Sequence, residues 1–126
     1  MTSRPEPDEG LTLSPGPRSV AAARRYAVET CRATGYHGDY DTLVSLVSEV
    51  ATNALIHGDG QVRVRVLNQG PRLRVEVSDD SDAMPAIRTL DRDVEGGRGL
   101  ALIDTLAAAW GADPEPHGKT VWFELA

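Results

Sequence analysis

The apolar period of this 126-residue chain changes near residue 60 from a helical repeat to strict alternation. Helices followed by half-buried strands pack as two layers, and few other folds accept that order. Between Arg18 and Thr34, Val20, Ala23, Ala27, Val28 and Cys31 recur at helical spacing, and Gly35 ends the run. A second helix spans Asp39 to Gly58. Leu43, Leu46, Val47, Val50 and Ala54 form its core stripe, Asp39 or Asp41 caps it, and Gly58 stops it. Then Val62, Val64 and Val66 alternate with Arg63 and Arg65. After the turn residues Asn68 to Pro71, Leu73, Val75 and Val77 alternate with Arg72, Arg74 and Glu76. This pattern predicts a hairpin with one buried face.

Residues 80–96 are rich in Asp, Pro and Gly and are expected to form a loop. Leu100, Ile103, Leu106, Ala107 and Trp110 predict a third helix, closed by Gly111. A loop through Pro114 and Pro116 then leads to a last strand, Thr120 to Leu125. Leu11 to Leu13 predicts a short edge strand, and Ser14 to Pro17 a turn that launches the first helix. The expected architecture is a two-layer α/β (α+β) sandwich, with three helices on one face of a mixed, mainly antiparallel sheet. Helices and strands do not alternate, so a doubly wound fold is excluded. Residues 1–10 are polar and proline-rich, an expected disordered tail, and residues 11–126 are expected to form one domain.

Composition narrows the function classes. The net charge of −6 argues against general binding of nucleic acid or of an anionic membrane, both of which need a basic surface. Only one of the basic residues, Lys119, is a lysine. Cys31 is the single cysteine, so no internal disulfide forms. No apolar run approaches the roughly 18 residues needed to span a membrane. The N-terminal residues also lack an apolar signal region, and a cytoplasmic location is expected. His37, His57 and His117 do not have zinc-ligand spacing.

Three constellations carry chemistry. Glu49 and Asn53 are four residues apart on the second helix, so they stack on one face beside Val50 and Ala54. They are either boundary residues or a carboxylate base next to an amide oxygen able to ligate Mg²⁺. Asp79 shares the parity of Leu73, Val75 and Val77, so the strand's apolar face ends in a carboxylate aimed at the helices. It either caps the following loop or is kept for a ligand's donor, such as a purine amino group. Gly96 to Leu100 opens the third helix with a glycine run, either a plain hinge or a phosphate cradle. No Walker A pattern is present.

In this order and context the chain resembles the GHKL (Bergerat-fold, histidine kinase-like) ATPases, and within them the anti-sigma factor serine kinases of the RsbW and SpoIIAB type. Ser48 to Gly58 matches the N-box, Val75 to Asp80 the strand and Asp of the first glycine box, Gly97 to Ile103 the second, and Gly118 to Leu125 the closing strand. The resemblance implies ATP and Mg²⁺ as cofactors, with Glu49 as general base and Asn53 as metal ligand. It implies that Asp79 accepts from the adenine amino group, that Gly97 and Gly99 let the backbone approach the phosphates, and that Thr120 helps hold the adenine side. Arg98 is left between a phosphate contact and a surface role, and His57 is a helix-end residue. A STAS-type anti-anti-sigma protein and a sigma factor are the implied partners, and a homodimer the implied assembly.

The chain departs from this family pattern in two places. Ser81 and Ala83 stand where the first glycine box has glycines. The lid, about Ala86 to Gly96, is short and carries Asp91, Asp93 and Glu95, which repel phosphates. Weak nucleotide retention is therefore expected. The leading expectation is an ATP-dependent protein serine kinase, and the alternative a nucleotide-responsive binding module without transfer activity. A histidine kinase catalytic domain is disfavoured, because no helical dimerisation segment is visible.

Overall fold

A computed structural model describes residues 10–81 and 97–126 of the chain. The elements are β1 (Leu11–Leu13), α1 (Ser19–Thr34), α2 (Tyr40–His57), β2 (Val62–Asn68), β3 (Leu73–Asp79), α3 (Gly97–Leu106), β4 (Ala109–Glu115) and β5 (Gly118–Leu125). The five strands form one sheet in the order β1-β2-β3-β5-β4. Each neighbouring pair is antiparallel, so the sheet among the described residues is antiparallel rather than mixed. The reason is β4. Without it, α3 would carry the chain from β3 back to a parallel strand; with it, the chain reverses once more and β5 runs against β3.

The alternation read from the sequence decides which face is covered. Val62, Val64, Val66, Leu73, Val75, Val77, Val121, Phe123 and Leu125 are all buried beneath the helices. From α1 come Ala23, Ala27 and Cys31, and from α2 Leu43, Leu46, Val47, Val50 and Ala51. Small residues on α1 let it approach α2, and Arg24 Nη1 donates to Ser48 Oγ at 3.2 Å across that seam. Gly35 ends α1 in the left-handed conformation, with φ of 81°. Asp39 caps α2, its Oδ1 accepting from the backbone N–H of Asp41 and Thr42 at 2.9 and 3.3 Å.

The opposite face is charged. In-register pairing sets Arg65 across from Glu76 and Arg74 across from Glu124, and both pairs form ion pairs, at 3.2 and 3.1 Å. Arg74 also reaches Glu76 at 2.9 Å and lies 4.2 Å from the centroid of the Trp122 ring.

The third helix is shorter than the apolar spacing predicts. Ala107 N–H still donates to Ile103 O at 2.9 Å, but Ala108 N–H donates across to Glu124 O at 2.8 Å. From there the chain is β4, with Trp110 paired to Phe123 and Gly111 to Trp122. Gly111 is therefore not a helix stop. A Cβ on it would lie 2.8 Å from the Trp122 ring, so the missing side chain makes room for the indole. Pro114 belongs to the strand rather than a loop, and Leu106, expected in the core stripe, is 42% exposed.

Cys31 is wholly enclosed, and burial pushes its thiol up to about 11. The folded protein should therefore leave Cys31 unreacted with a thiol reagent at pH 8, with full reaction only after denaturation. Because the folded state holds this proton more tightly, stability should fall as pH rises from about 9 towards 11. Rapid labelling of the native protein would contradict this burial.

Candidate functional site

Asp39 sets the register of α2, and the buried stripe Leu43, Leu46, Val47 and Val50 sets its rotation. Together they place Glu49 and Asn53 beside the core, both half-buried. Glu49 has no hydrogen bond or ion pair among the described residues. Asn53 Oδ1 is buried and has no hydrogen-bond donor among them. A buried acceptor without a donor is costly unless something else satisfies it, and a cation does so directly. The residues described include no group of three or more His, Cys, Asp or Glu able to hold a metal. The fit is thus to a metal that takes one amide oxygen from the protein and its other ligands from elsewhere, the usual habit of Mg²⁺.

Asp79 closes β3 on the helix side of the sheet, as its parity requires, with its side chain 1% exposed. It is not unpartnered. The antiparallel register sets it opposite Lys119, whose ammonium lies 3.0 Å from both carboxylate oxygens and donates to Oδ1. Oδ1 also accepts from Ser81 N–H at 2.7 Å, an Asx turn that starts the following loop. Of the two readings left open by the sequence, the loop cap is the one this geometry contains: the carboxylate turns the following loop.

Two glycines let the backbone crowd this carboxylate. A Cβ on Gly58, at the end of α2, would lie 2.7 Å from Asp79 Cγ and 2.9 Å from Oδ2. Gly118 has φ of 152°, and a Cβ there would lie 2.0 Å from Asp79 O. The loop between α2 and β2 is tied to the same corner, because Asp80 Oδ2 accepts from Gln61 N–H at 3.0 Å and Asp80 N–H donates to Asp59 O at 2.8 Å.

Thr120, expected on the adenine side, does not stand with Asp79. It pairs with Ser78, and their hydroxyls are 2.8 Å apart. Successive residues of a strand face opposite sides, so Thr120 and Ser78 lie on the charged face, lining a cleft with Arg63, Arg65 and Arg74. Lys119 is the residue of β5 that stands with Asp79. Its signal was present in the sequence: it shares the parity of Val121, Phe123 and Leu125 and is the only lysine.

The third helix begins at Gly97, so Gly97, Arg98 and Gly99 form its first turn, where backbone N–H groups are free of intrahelical partners. The Arg98 side chain lies outside the described residues. So do Ala83 and the expected lid, Ala86 to Gly96, with Asp91, Asp93 and Glu95. His57 occupies the last turn of α2 and is exposed, as expected of a helix-end residue. No described helix is long and apolar enough to cross a membrane.

Comparison with known proteins agrees with this fold. The family described as "Histidine kinase-like ATPase domain" matches residues 13–125. No curated protein matches significantly. Among solved structures, the chain is similar to the histidine kinase domain of a blue-light activated histidine kinase from Erythrobacter litoralis, with 25% identity and a TM-score of 0.55. That alignment covers 84% of this chain and 59% of the other. A second structure of the blue-light activated kinase from that organism aligns with 24% identity and a TM-score of 0.51, over 83% of this chain and 40% of the other. The chain thus spans about half the length of the solved chains it matches.

Removing one member of the Asp79–Lys119 pair should cost far more than removing both. Lys119→Met leaves a buried carboxylate without its cation and is expected to lower stability by about 3–5 kcal/mol. The double variant Asp79→Asn/Lys119→Met should recover most of that loss. Urea denaturation of the two single variants and the double gives the coupling, and strictly additive effects would contradict the pairing.

Proposed function

The chain belongs to the histidine kinase-like ATPase family, and on that premise we propose that it binds ATP with Mg²⁺ and transfers the terminal phosphoryl group to a serine of a protein partner. The observation that carries this proposal is on α2. The buried Asn53 Oδ1 lacks a donor, and the unpaired Glu49 carboxylate stands one turn away on the same face. A site with an oxygen to spare for a cation and a free base beside it has the two protein groups that phosphoryl transfer needs.

In this proposal Asn53 holds the metal and Glu49 accepts the proton of the serine hydroxyl. The serine oxygen forms a bond to the terminal phosphorus, the bridging bond to ADP breaks, and the proton passes to the Glu49 carboxylate. Bound Mg²⁺ would neutralise charge on the phosphates. Asp79 accepts from the adenine amino group, and the first turn of α3, opened by Gly97 and Gly99, presents backbone N–H groups to the phosphates. The partner class is a STAS-type anti-anti-sigma protein, with a sigma factor as the protein sequestered. The resemblance of the chain to the anti-sigma factor serine kinases within the family supports the assignment.

A second reading has its own support. Lys119 neutralises Asp79, and Ser81 holds Oδ1, so the carboxylate offers less to a ligand than a free one would. A module that binds its partner and responds to nucleotide without transfer fits that geometry.

Two variants separate these readings. Asn53→Ala should weaken ATP binding in the presence of Mg²⁺ by about tenfold and leave metal-free binding unchanged, as measured by calorimetry. Equal affinity with and without Mg²⁺ in the unaltered protein would remove Asn53 from the metal site. Glu49→Ala should leave ATP affinity within about twofold while partner phosphorylation falls at least a hundredfold, since a general base contributes about 10²–10⁴ to rate. A partner that is bound but never phosphorylated, with ATP and Mg²⁺ present, would establish the binding module instead.

A further inference from the structure

The face of the sheet opposite Asp79 carries a row of side chains that crosses four strands. In-register pairing aligns Arg63 of β2 with Ser78 of β3, Ser78 with Thr120 of β5, and Thr120 with Asp113 of β4. All four line a cleft of about 360 Å³, near the lower limit for small-molecule sites. Glu115, two residues along β4, joins Asp113 at the acidic end. Arg65, Arg74 and Glu76 line the cleft too, but they hold one another, with Glu76 3.2 Å from Arg65 and 2.9 Å from Arg74.

The unspent groups are divided by sign. Arg63 makes no ion pair or hydrogen bond among the described residues, and neither do Asp113 and Glu115. Beside Arg63, Arg65 keeps Nε buried without an acceptor among those residues. Neighbouring strands lie about 4.8 Å apart, so three spacings separate Arg63 from Asp113 by about 14 Å, too far for side chains standing up from the sheet to pair directly. Between them the Ser78 and Thr120 hydroxyls are 2.8 Å apart, and Thr120 is 7% exposed. Each hydroxyl has one O–H and two lone pairs, and their mutual bond spends a single O–H. The middle of the row therefore keeps one O–H donor and spare acceptor sites among the described residues.

We propose that this cleft binds a dipeptide with free termini, its carboxylate at Arg63, its ammonium at Asp113 and Glu115, and its peptide group over the Ser78 and Thr120 hydroxyls. A cation at one end and two carboxylates at the other oppose any ligand of a single sign and suit a zwitterion. Length selects among zwitterions. An extended chain spans about 3.5 Å per residue, so two residues set the termini about 7 Å apart. Charge-assisted contacts of about 2.8 Å at each end bring the span to about 13 Å, close to the width of the row. A single amino acid leaves a gap, and a tripeptide overshoots. The middle of a dipeptide is an N–H and a carbonyl, to which the hydroxyl pair presents an acceptor and a donor. This site is independent of the nucleotide reading, since Glu49, Asn53 and Asp79 do not line the cleft.

The test is a titration of the isotopically labelled protein with the dipeptide Ala-Ala, followed by backbone amide resonances. Saturable shifts should centre on Arg63, Ser78, Asp113 and Thr120. N-acetyl-Ala-Ala lacks the ammonium and Ala-Ala amide lacks the carboxylate, and each should bind weaker than Ala-Ala by about fivefold or more. Free alanine, too short for the row, should lose a similar factor. Arg63→Gln should weaken Ala-Ala by about fivefold or more and leave Ala-Ala amide within about twofold. The double variant Asp113→Asn/Glu115→Gln should weaken Ala-Ala equally and leave N-acetyl-Ala-Ala within about twofold. All three substituted residues are exposed, so both variants should keep the fold. No saturable shift at millimolar Ala-Ala overturns the site. Equal affinity for either capped peptide, or for alanine, also overturns it. Shifts of the same residues with protein concentration alone would assign this face to a second copy of the chain and overturn it as well.

Discussion

A carboxylate and an ammonium taken out of water must face one another closely, and much of this structure is arranged around that requirement. Asp79 and Lys119 meet 3.0 Å apart at the end of the sheet's covered face. Desolvating either ion alone is costly, and mutual attraction offsets that cost only with close geometry and further hydrogen bonds. The β3–β5 register supplies the geometry, and Ser81 N–H supplies a further bond. Gly58 and Gly118 are placed where any side chain would strike Asp79. The end of α2, the turn before β5 and the loop after β3 therefore all converge on one carboxylate.

The rest of the architecture holds that corner in place. The apolar face of the sheet is sealed by α1 and α2, while the other face is tied by the ion pairs from Arg65 through Glu76 and Arg74 to Glu124. Those cross-strand charges are half-exposed and add little stability individually. They do mark the outer face as one that no described helix covers. With one face covered by the described helices, α2 lies with Glu49 and Asn53 half-buried at its margin. Asn53 Oδ1, at that margin, is buried without a donor among the described residues.

How much of this was legible depended on whether the governing interaction is local. The helical stripes of α1 and α2, the cap at Asp39, the stops at Gly35 and Gly58 and the alternation of β2 and β3 all follow from side-chain period and capping chemistry, and each lies within a few residues of where the sequence places it. Trp110 and Gly111 show where that method stops. Leu106, Ala107 and Trp110 continue a helical spacing, and Gly111 and Pro114 are poor strand residues. Backbone pairing with β5, beginning at Ala108 N–H to Glu124 O, outweighs that local preference. The indole of Trp122 then occupies the space that Gly111 leaves. β4 and β5 form a hairpin that closes at Glu115 and Gly118, but the pairs that claim Ala109, Trp110 and Gly111 are with Glu124, Phe123 and Trp122, beyond the reach of a helical period.

For the candidate site, the sequence by itself determined placement: a carboxylate and an amide one helical turn apart, and an aspartate whose strand parity turns it inward. These are consequences of the 3.6- and 2-residue periods. Only the tertiary structure decided what each of them meets. Register, which depends on pairing across the whole sheet, set Lys119 opposite Asp79 and turned Thr120 with Ser78 to the far face. A shift of one residue in that pairing would exchange the two, because neighbouring residues of a strand face opposite sides.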